Sequence, residues 1–122
     1  MKKTYETGLR GEKTAADYLI RKRSMVLLEH RYRTKRGEID LIMEDGDTVV
    51  FVEVKTRNSG DAGTGLSAVN TAKQKRIAYA ATLYLMQKNW TRKDVRFDVV
   101  EIHEGNILHI PNACQPYGSF QH

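Results

Sequence analysis

Residues 37–57 read GEIDLIMEDGDTVVFVEVKTR, a stretch in which two apolar-rich runs flank a turn. Asp45-Gly46 is the turn signal, and the residues on either side are rich in Val, Ile, Leu and Phe, as β-strands are. The stretch therefore predicts a β-hairpin with strands at Glu38–Met43 and Thr48–Lys55.

Side-chain alternation in this hairpin places two acids and a lysine on one face. A turn at Asp45-Gly46 puts Asp40 opposite Phe51, and Glu53 and Lys55 point the same way as Phe51. Asp40 and Glu53 are then diagonal neighbours with α-carbons about 7–8 Å apart, a separation that suits a divalent metal between their carboxylates. Such a face is typical of a metal-dependent phosphodiesterase site. The opposite face carries only apolar residues: Ile39, Leu41, Met43, Val50, Val52 and Val54.

A solvated face is the alternative interpretation, because charged residues of a strand are mostly exposed. The neighbours of Glu53 favour the site instead. Val49 and Phe51 on one side and Val52 and Val54 on the other predict a strand that is apolar on both faces, as in a sheet covered by helices on both sides. Charges in such a strand are costly unless they are paired or bind a cation.

At 122 residues the chain is expected to form one domain, residues 1–111, followed by a tail, residues 112–122, with little pattern. Its one cysteine, Cys114, excludes an internal disulfide and fits a reducing compartment. No secretory signal and no apolar run near the ~18 residues of a membrane span are visible, so a cytoplasmic protein without membrane contact is expected. The four histidines lack ligand-type spacing, which argues against zinc.

The positive charge is concentrated in the first third of the chain. Residues 1–36 contain eleven Lys and Arg and four Asp and Glu, whereas the remaining residues carry a net charge of −2. A basic part beside an acidic hairpin is typical of a protein that binds a polyanion, DNA being favoured over RNA. A generic basic surface that keeps the protein in solution is the alternative.

The first helix is predicted from about Tyr5 to Arg23. Gly8 and Gly11 lie in it at a propensity cost of roughly 1 kcal/mol each, which indicates that a strand or a substrate backbone approaches closely. Glu12 follows directly. It is either an ordinary acid of the helix surface or a third acidic group that reaches over the sheet.

A strand predicted at Met25–Arg33 ends in a basic run. Alternation places Arg31 and Arg33 on one face and Tyr32 on the other. The residues of the run either hold phosphate through arginine contacts or are solvated charge at a loop. The run consists of Arg31, Arg33, Lys35 and Arg36. After the hairpin, the polar loop Thr56–Gly65, which begins beside Arg57, is expected to be mobile at the mouth of the site.

A second helix is predicted from about Asn70, a good N-cap, to Asn89. Its inner stripe consists of Ile77, Ala80, Ala81 and Tyr84. Lys73 lies on this stripe near the helix N-terminus, where a phosphate is favoured, and Lys75 and Arg76 extend the positive surface. A solvated basic turn is the alternative.

Two further strands, Val95–Ile102 and Ile107–Ile110, complete the order α-β-β-β-α-β-β. A helix between the third and fourth strands implies a parallel pair within an otherwise antiparallel, mixed five-stranded sheet. Asp98 is interpreted as a structural or edge-strand acid.

With Glu12, Asp40, Glu53 and Lys55 in this order, the chain resembles the PD-(D/E)xK nuclease superfamily, whose fold is that of restriction endonucleases. The strings GEIDLI and VFVEVKTR and the run KQKR resemble more narrowly the YraN-type family of uncharacterised, endonuclease-like proteins. The resemblance covers about residues 5–111. The layout is also similar to that of archaeal Holliday-junction resolvases, which place a glutamate on the first helix.

The resemblance implies a three-layer α/β/α restriction-endonuclease-like fold and a nuclease site. It implies Asp40 and Glu53 as ligands of Mg²⁺ or Mn²⁺, Lys55 as the residue that orients or activates water, and Glu12 as an auxiliary acid. The first motif has Ile39 where the superfamily usually has proline. The glutamine-to-tyrosine spacing of RecB-type nucleases is not matched either, which argues against a RecB-like activity on DNA ends.

Two classes of function fit these observations, and a nuclease that acts on RNA stays open as a third possibility. One is a metal-dependent DNA endonuclease, with branched repair or recombination intermediates as candidate substrates. The other is a non-catalytic module that keeps the nuclease fold and binds nucleic acid or a protein partner. A homodimer would suit a two-fold junction, but no heptad or apolar patch in the sequence requires one.

Overall fold

A computed structural model describes the backbone of residues 2–57 and 71–114, with side chains from Gly8 onward. The expected mobile loop beyond Arg57, the Asn70 cap and residues 115–122 lie outside this part of the chain. The elements are α1 (Lys2–Arg23), β1 (Val26–Arg33), β2 (Glu38–Asp45), β3 (Thr48–Arg57), α2 (Thr71–Lys88), β4 (Asp94–His103) and β5 (Asn106–Ile110). This order confirms the predicted one.

The five strands form one mixed sheet in the order β1-β2-β3-β4-β5. All neighbours are antiparallel except β3 and β4, which run parallel with Val49 beside Val95 and Arg57 beside His103. The chain crosses between these two strands through α2, since a parallel pair needs a long connection. The predicted mixed α/β architecture is confirmed.

Both faces of the sheet are covered, which explains the apolar character of β3 on both sides. Val49 and Phe51 pack on one side with the inner stripe of α2, and Val50 and Val52 pack on the other with Ala15, Ala16 and Leu19 of α1. The stripe of α2 is the predicted one: Ile77, Ala80, Ala81 and Tyr84 are its buried residues. Polar groups at the ends of β2 and β3 are therefore held by a rigid scaffold.

The hairpin turn lies one residue later than predicted. Asp45 pairs with Thr48, so Gly46 and Asp47 form the turn, and Gly46 has a φ of 61°, as the first central position of a type II′ turn requires. The prediction that Asp40 lies opposite Phe51 is therefore wrong, because Ile42 is opposite Phe51. The two registers differ by two residues, so the side chains keep their faces.

Strict alternation fails at the start of β2. Ile39 was predicted to share a face with Leu41, but it packs on the α2 side with Ile42, whereas Leu41 packs on the α1 side. The ladder between β2 and β3 runs only as far as Leu41 and Val52, so the residues before Leu41 are not held by backbone pairing with β3. This break occurs next to Asp40.

Close backbone approaches occur at Gly11 and Gly37. A Cβ on Gly11 would overlap the Thr56 hydroxyl of β3, so a strand is what approaches this turn of α1. A Cβ on Gly37 would lie 2.5 Å from the Arg76 carbonyl oxygen, so glycine lets the β1–β2 connection touch the start of α2. These two contacts set the distances between the helices and the sheet near the hairpin.

Asn112 and Ala113, at the start of the predicted tail, attach to β4. The Asn112 N–H donates to Asp98 Oδ1 at 2.9 Å, and the Ala113 N–H donates to the Phe97 carbonyl at 2.7 Å. Within the described residues, neither helix is long and apolar enough to cross a bilayer.

Gly11→Ala is expected to lower the free energy of unfolding by about 1–3 kcal/mol, because the new methyl group meets a stiff β-branched threonine. Gly8→Ala, one turn earlier in the same helix, is the matched control. Its Cβ meets only the flexible end of Arg31, at 3.2 Å, and alanine favours the helix by roughly 1 kcal/mol. Urea denaturation measures both variants, and equal effects would contradict the assigned strand contact.

Candidate active site

Asp40 and Glu53 lie immediately beyond the last residue pair of the β2–β3 ladder. Leu41 is opposite Val52, so the next residues along the two strands are Asp40 and Glu53. The Val54 N–H donates to Asp40 Oδ2 at 2.8 Å, so the carboxylate takes the place of a backbone acceptor. Both acids line one cleft, and the negative charge of Glu53 acts on Asp40.

Two lysines complete a compact group with these acids. The Lys73 ammonium, in the first turn of α2, forms an ion pair with Glu53 Oε2. The side chains of Lys55 and Lys73 are within hydrogen-bonding reach of each other, and both interact electrostatically with Asp40. We call Asp40, Glu53, Lys55 and Lys73 the acid–lysine cluster.

The charge on Asp40 is costly in the folded chain. Burial and the negative charge of Glu53 raise the pKa of the Asp40 carboxyl to about 7, although the Val54 N–H and Lys73 act in the opposite direction. A pair of buried like charges that is only partly compensated is typical of functional sites. It is also the electrostatic situation that a divalent cation relieves.

The two lysines differ in their readiness to lose a proton. Burial and the positive charge of Lys73 lower the pKa of Lys55. Burial acts against charge on Lys73 too, but its hydrogen bond and attraction to Glu53 outweigh burial and raise the pKa of Lys73. Groups whose pKa values are pushed apart can take different roles in proton transfer, and Lys55 is the better candidate to release a proton.

Glu12 is a buried acid, and the interpretation of it as a surface acid of the helix is wrong. It is 5% exposed. Its Oε1 accepts hydrogen bonds from His30 Nε2 at 2.7 Å and from Arg31 Nε at 2.8 Å. Its charge contributes to the raised pKa of Asp40, so it lies within electrostatic reach of the acid–lysine cluster. Its role as an auxiliary acid stays a prediction.

A cleft of about 590 Å³ opens beside the cluster, between the β1–β2 connection and the start of α2. Asp40, Glu53 and Lys73 line it together with Arg33 and Arg76. The two acids therefore line the same cleft as three cations, of which Arg33 comes from β1 and Lys73 and Arg76 come from α2.

Five of the eight predicted nucleic-acid-binding residues are available at this cleft or next to it. They are Arg33, Lys35, Arg36, Lys75 and Arg76, all exposed, and we call them the basic rim. Arg33 forms a long, exposed ion pair with Glu38, at 3.5 Å, and the Arg36 guanidinium lies 5.2 Å from the centre of the Tyr79 ring.

The other three predicted binding residues are held within the protein. Arg31 is paired with Glu12, Lys73 with Glu53, and the Arg57 Nε donates to Glu101 at 2.6 Å. The predicted alternation of Arg31, Tyr32 and Arg33 is also wrong. Arg31 has a left-handed φ of 55°, which directs its side chain to Glu12 of α1. Tyr32 instead packs on Tyr84 of α2, and Arg33 lines the cleft.

Three features of the site escaped the sequence reading. His30 shares Glu12 with Arg31, and Tyr79 lies under Arg36. Thr34 accepts the Gly37 N–H at 3.0 Å and so shapes the β1–β2 connection. Thr34 could have been found, because a threonine three residues before a glycine is typical of a side-chain-closed turn.

Asp98 belongs to a separate polar network, which confirms the structural alternative, whereas the edge-strand alternative is wrong because β4 lies between β3 and β5. It is 2% exposed and accepts hydrogen bonds from both sides of the Arg96 guanidinium, at 2.9 and 3.0 Å, and from His109 Nε2 at 2.7 Å. Burial acts against its charge, but these donors outweigh burial and lower the pKa of Asp98. The network joins β4 to β5.

The acid–lysine cluster fits a hard divalent cation. Mg²⁺ is usually held by one or two carboxylates, with waters and substrate phosphates completing its shell, and Asp40 and Glu53 supply two carboxylates at an open cleft. Among the described residues no group of three or more His, Cys, Asp or Glu side chains could hold a metal. A cation here would therefore depend on water and substrate for its remaining ligands.

Asp40→Asn is expected to stabilise the metal-free protein increasingly as pH rises. In the wild type, the neutral Asp40 is favoured in the folded state up to about pH 7, whereas in the unfolded chain it ionises near 3.8. The stability that the neutral Asp40 gives the wild type is complete at pH values below the pKa of this group in the unfolded chain. It is lost as pH rises towards about 7. The advantage of asparagine should thus grow by about 1–3 kcal/mol between about pH 5 and about pH 8.

Urea denaturation in EDTA measures this difference, with the exposed acid Asp17→Asn on α1 as the control. A constant difference between Asp40→Asn and the wild type across this pH range would refute the proposed cost of the Asp40 charge.

Comparison with known proteins places the chain in a family. The model of the uncharacterised protein family UPF0102 matches residues 11–102. A UPF0102 protein of Geobacter metallireducens is 44% identical over 112 residues, covering 88% of this chain and 91% of the relative. A UPF0102 protein of Clostridioides difficile is 41% identical over 110 residues, covering 88% and 96%. The chain therefore belongs to the uncharacterised protein family UPF0102, the YraN-type family that its motifs resemble.

Proposed function

We propose that this protein is a metal-dependent endonuclease that hydrolyses phosphodiester bonds in DNA. The observation that carries the proposal is that Asp40 and Glu53 line one cleft together with Lys73, which is paired with Glu53, while Lys55 lies within reach of the same groups. Two carboxylates and a lysine with a lowered pKa are the groups that metal-assisted hydrolysis needs. The resemblance to PD-(D/E)xK nucleases supports the same reaction.

Asp40 and Glu53 are the proposed ligands of Mg²⁺ or Mn²⁺, with Glu12 as an auxiliary acid behind them. A divalent cation supplies Lewis-acid stabilisation of phosphate charge and a lowered pKa for an attacking water. Asp40 is kept in position by the Val54 N–H. Lys55 orients the water or a nonbridging phosphate oxygen, and its lowered pKa makes it easier for the ammonium to release a proton.

The basic rim is the proposed binding surface for the DNA backbone. Its five cations lie on the β1–β2 connection and the start of α2, on both sides of the cleft. Positive charge that tracks phosphates holds a nucleic acid in register without reading its sequence. Branched repair or recombination intermediates remain the candidate substrates that the family resemblance implies, and a homodimer would suit a two-fold junction.

One observation favours a second candidate, a non-catalytic module that binds nucleic acid or a protein partner. The Lys73 ammonium already neutralises Glu53, and among the described residues no third metal-binding side chain joins the two acids. A module of this kind would bind DNA through the basic rim without a metal. Calorimetric titration with Mn²⁺ of the wild type and of Glu53→Gln separates the two candidates.

Asp40→Asn, Glu53→Gln and Lys55→Met are each expected to reduce DNA cleavage by at least about 100-fold, the lower range for loss of a group that acts in proton transfer. The assay uses single-stranded, flapped and four-way DNA with Mg²⁺ or Mn²⁺. Asp17→Asn and Lys22→Met, exposed residues of α1, are the matched controls. Cleavage that persists in Asp40→Asn and in Lys55→Met would remove this mechanism.

The double variant Arg36→Gln/Arg76→Gln is expected to weaken DNA binding at all sequences. Each lost phosphate contact lowers the salt slope of log K by about 0.9, so the slope should fall by about 2. Fluorescence anisotropy in EDTA across a salt series measures this without cleavage. Arg21→Gln/Arg92→Gln, which removes two exposed arginines outside the rim, should leave affinity and slope unchanged. Equal losses in both double variants would contradict the basic rim.

A further inference from the structure

We propose that Lys73 is an internal counter-ion, which occupies Glu53 in the metal-free protein and is released towards substrate phosphate when a divalent metal takes its place. The proposal rests on the proposed function, because it assumes that Asp40 and Glu53 bind the metal. It assigns to Lys73 a task different from that of Lys55.

The ion pair is the first argument. The Lys73 ammonium contacts Glu53 Oε2, and the side chains are 27% and 11% exposed, so water offers little competition to this contact. A cation bound to Glu53 must therefore displace the ammonium from that oxygen or share the carboxylate with it. The metal and the Lys73 ammonium therefore compete for the Glu53 carboxylate, and each weakens the binding of the other.

The position of Lys73 gives the ammonium somewhere to go. It lies in the first turn of α2, and its side chain lines the cleft together with Arg33 and Arg76. A phosphate in the cleft would therefore meet the freed ammonium together with these two arginines. A rotation of the flexible lysine side chain achieves this without a backbone change.

Charge balance makes the exchange favourable when substrate is present. With every group ionised, the acid–lysine cluster contains two negative and two positive charges and is neutral. A divalent cation leaves it with an excess of two positive charges, which attracts a phosphodiester. Metal and phosphate should therefore strengthen each other's binding, and Lys73 should carry part of this coupling.

Lys55 cannot replace Lys73 in this role. Its ammonium is destabilised by burial and by Lys73 itself, whereas Lys73 is the partner of the Glu53 carboxylate. The two lysines thus divide the work, with Lys55 beside the water and Lys73 exchanging between carboxylate and phosphate.

Isothermal titration calorimetry with Mn²⁺ tests the exchange in the full-length protein. Lys73→Gln is expected to bind Mn²⁺ at least about 5-fold more tightly than the wild type, the lower range of coupling between sites. In the Lys55→Met background, in which cleavage is expected to be lost, a short single-stranded DNA should tighten Mn²⁺ binding, and it should do so less in Lys55→Met/Lys73→Gln. Lys73→Arg keeps the charge and should stay near the wild type, and so should Lys88→Gln at the other end of α2.

The outcomes separate the two proposals. Mn²⁺ affinity that is equal or weaker in Lys73→Gln, with a wild type that binds, overturns the counter-ion and leaves the metal site standing. Absence of binding in both proteins overturns the metal site and the counter-ion together. Binding in Lys73→Gln alone supports a counter-ion strong enough to exclude the metal.

A measurement on the wild type keeps the proposal testable if Lys73→Gln does not fold. The ¹⁵N signal of the Lys73 ammonium, assigned by its loss in Lys73→Arg, should be protected in EDTA and lose this protection with Mg²⁺. A protected signal that persists while calorimetry shows Mg²⁺ bound would refute the release of Lys73.

Discussion

The hydrogen bond from the Val54 N–H to the Asp40 carboxylate holds one acid at the point where β2 and β3 stop pairing, and the rest of the site depends on it. A carboxylate at this position satisfies a backbone donor that would otherwise lose its partner inside the protein. The same contact holds Asp40 near Glu53, whose negative charge raises the pKa of the Asp40 carboxyl. The hydrogen bond that positions Asp40 therefore also keeps it near Glu53, where its charge is costly.

The fold around this contact compensates for the cost. Apolar side chains on both faces of β3 pack against α1 and α2, and this packing keeps the end of the hairpin rigid although its acids repel each other. Lys73 from α2 neutralises Glu53 of β3, and Arg31 of β1 neutralises Glu12 of α1. These two ion pairs tie the helices to the sheet.

The sequence predicted the layers, the element order and the face shared by Asp40 and Glu53, because these depend on hydrophobic period alone. The register was wrong because Asp45-Gly46 and Gly46-Asp47 are both acceptable turns, and only packing of the whole sheet chooses between them. The left-handed Arg31 and the pairing of Lys73 with Glu53 depend on contacts between residues distant in sequence. No local pattern encodes such contacts.

The most direct measurement of the central claim is a crystal structure grown with Mn²⁺, with the ion located by its anomalous scattering. We expect one strong peak within about 2.0–2.3 Å of carboxylate oxygens of both Asp40 and Glu53, with Lys73 turned into the cleft. A crystal grown at a saturating Mn²⁺ concentration that shows no Mn²⁺ at these acids, and Lys73 still bound to Glu53, would contradict the proposed metal site.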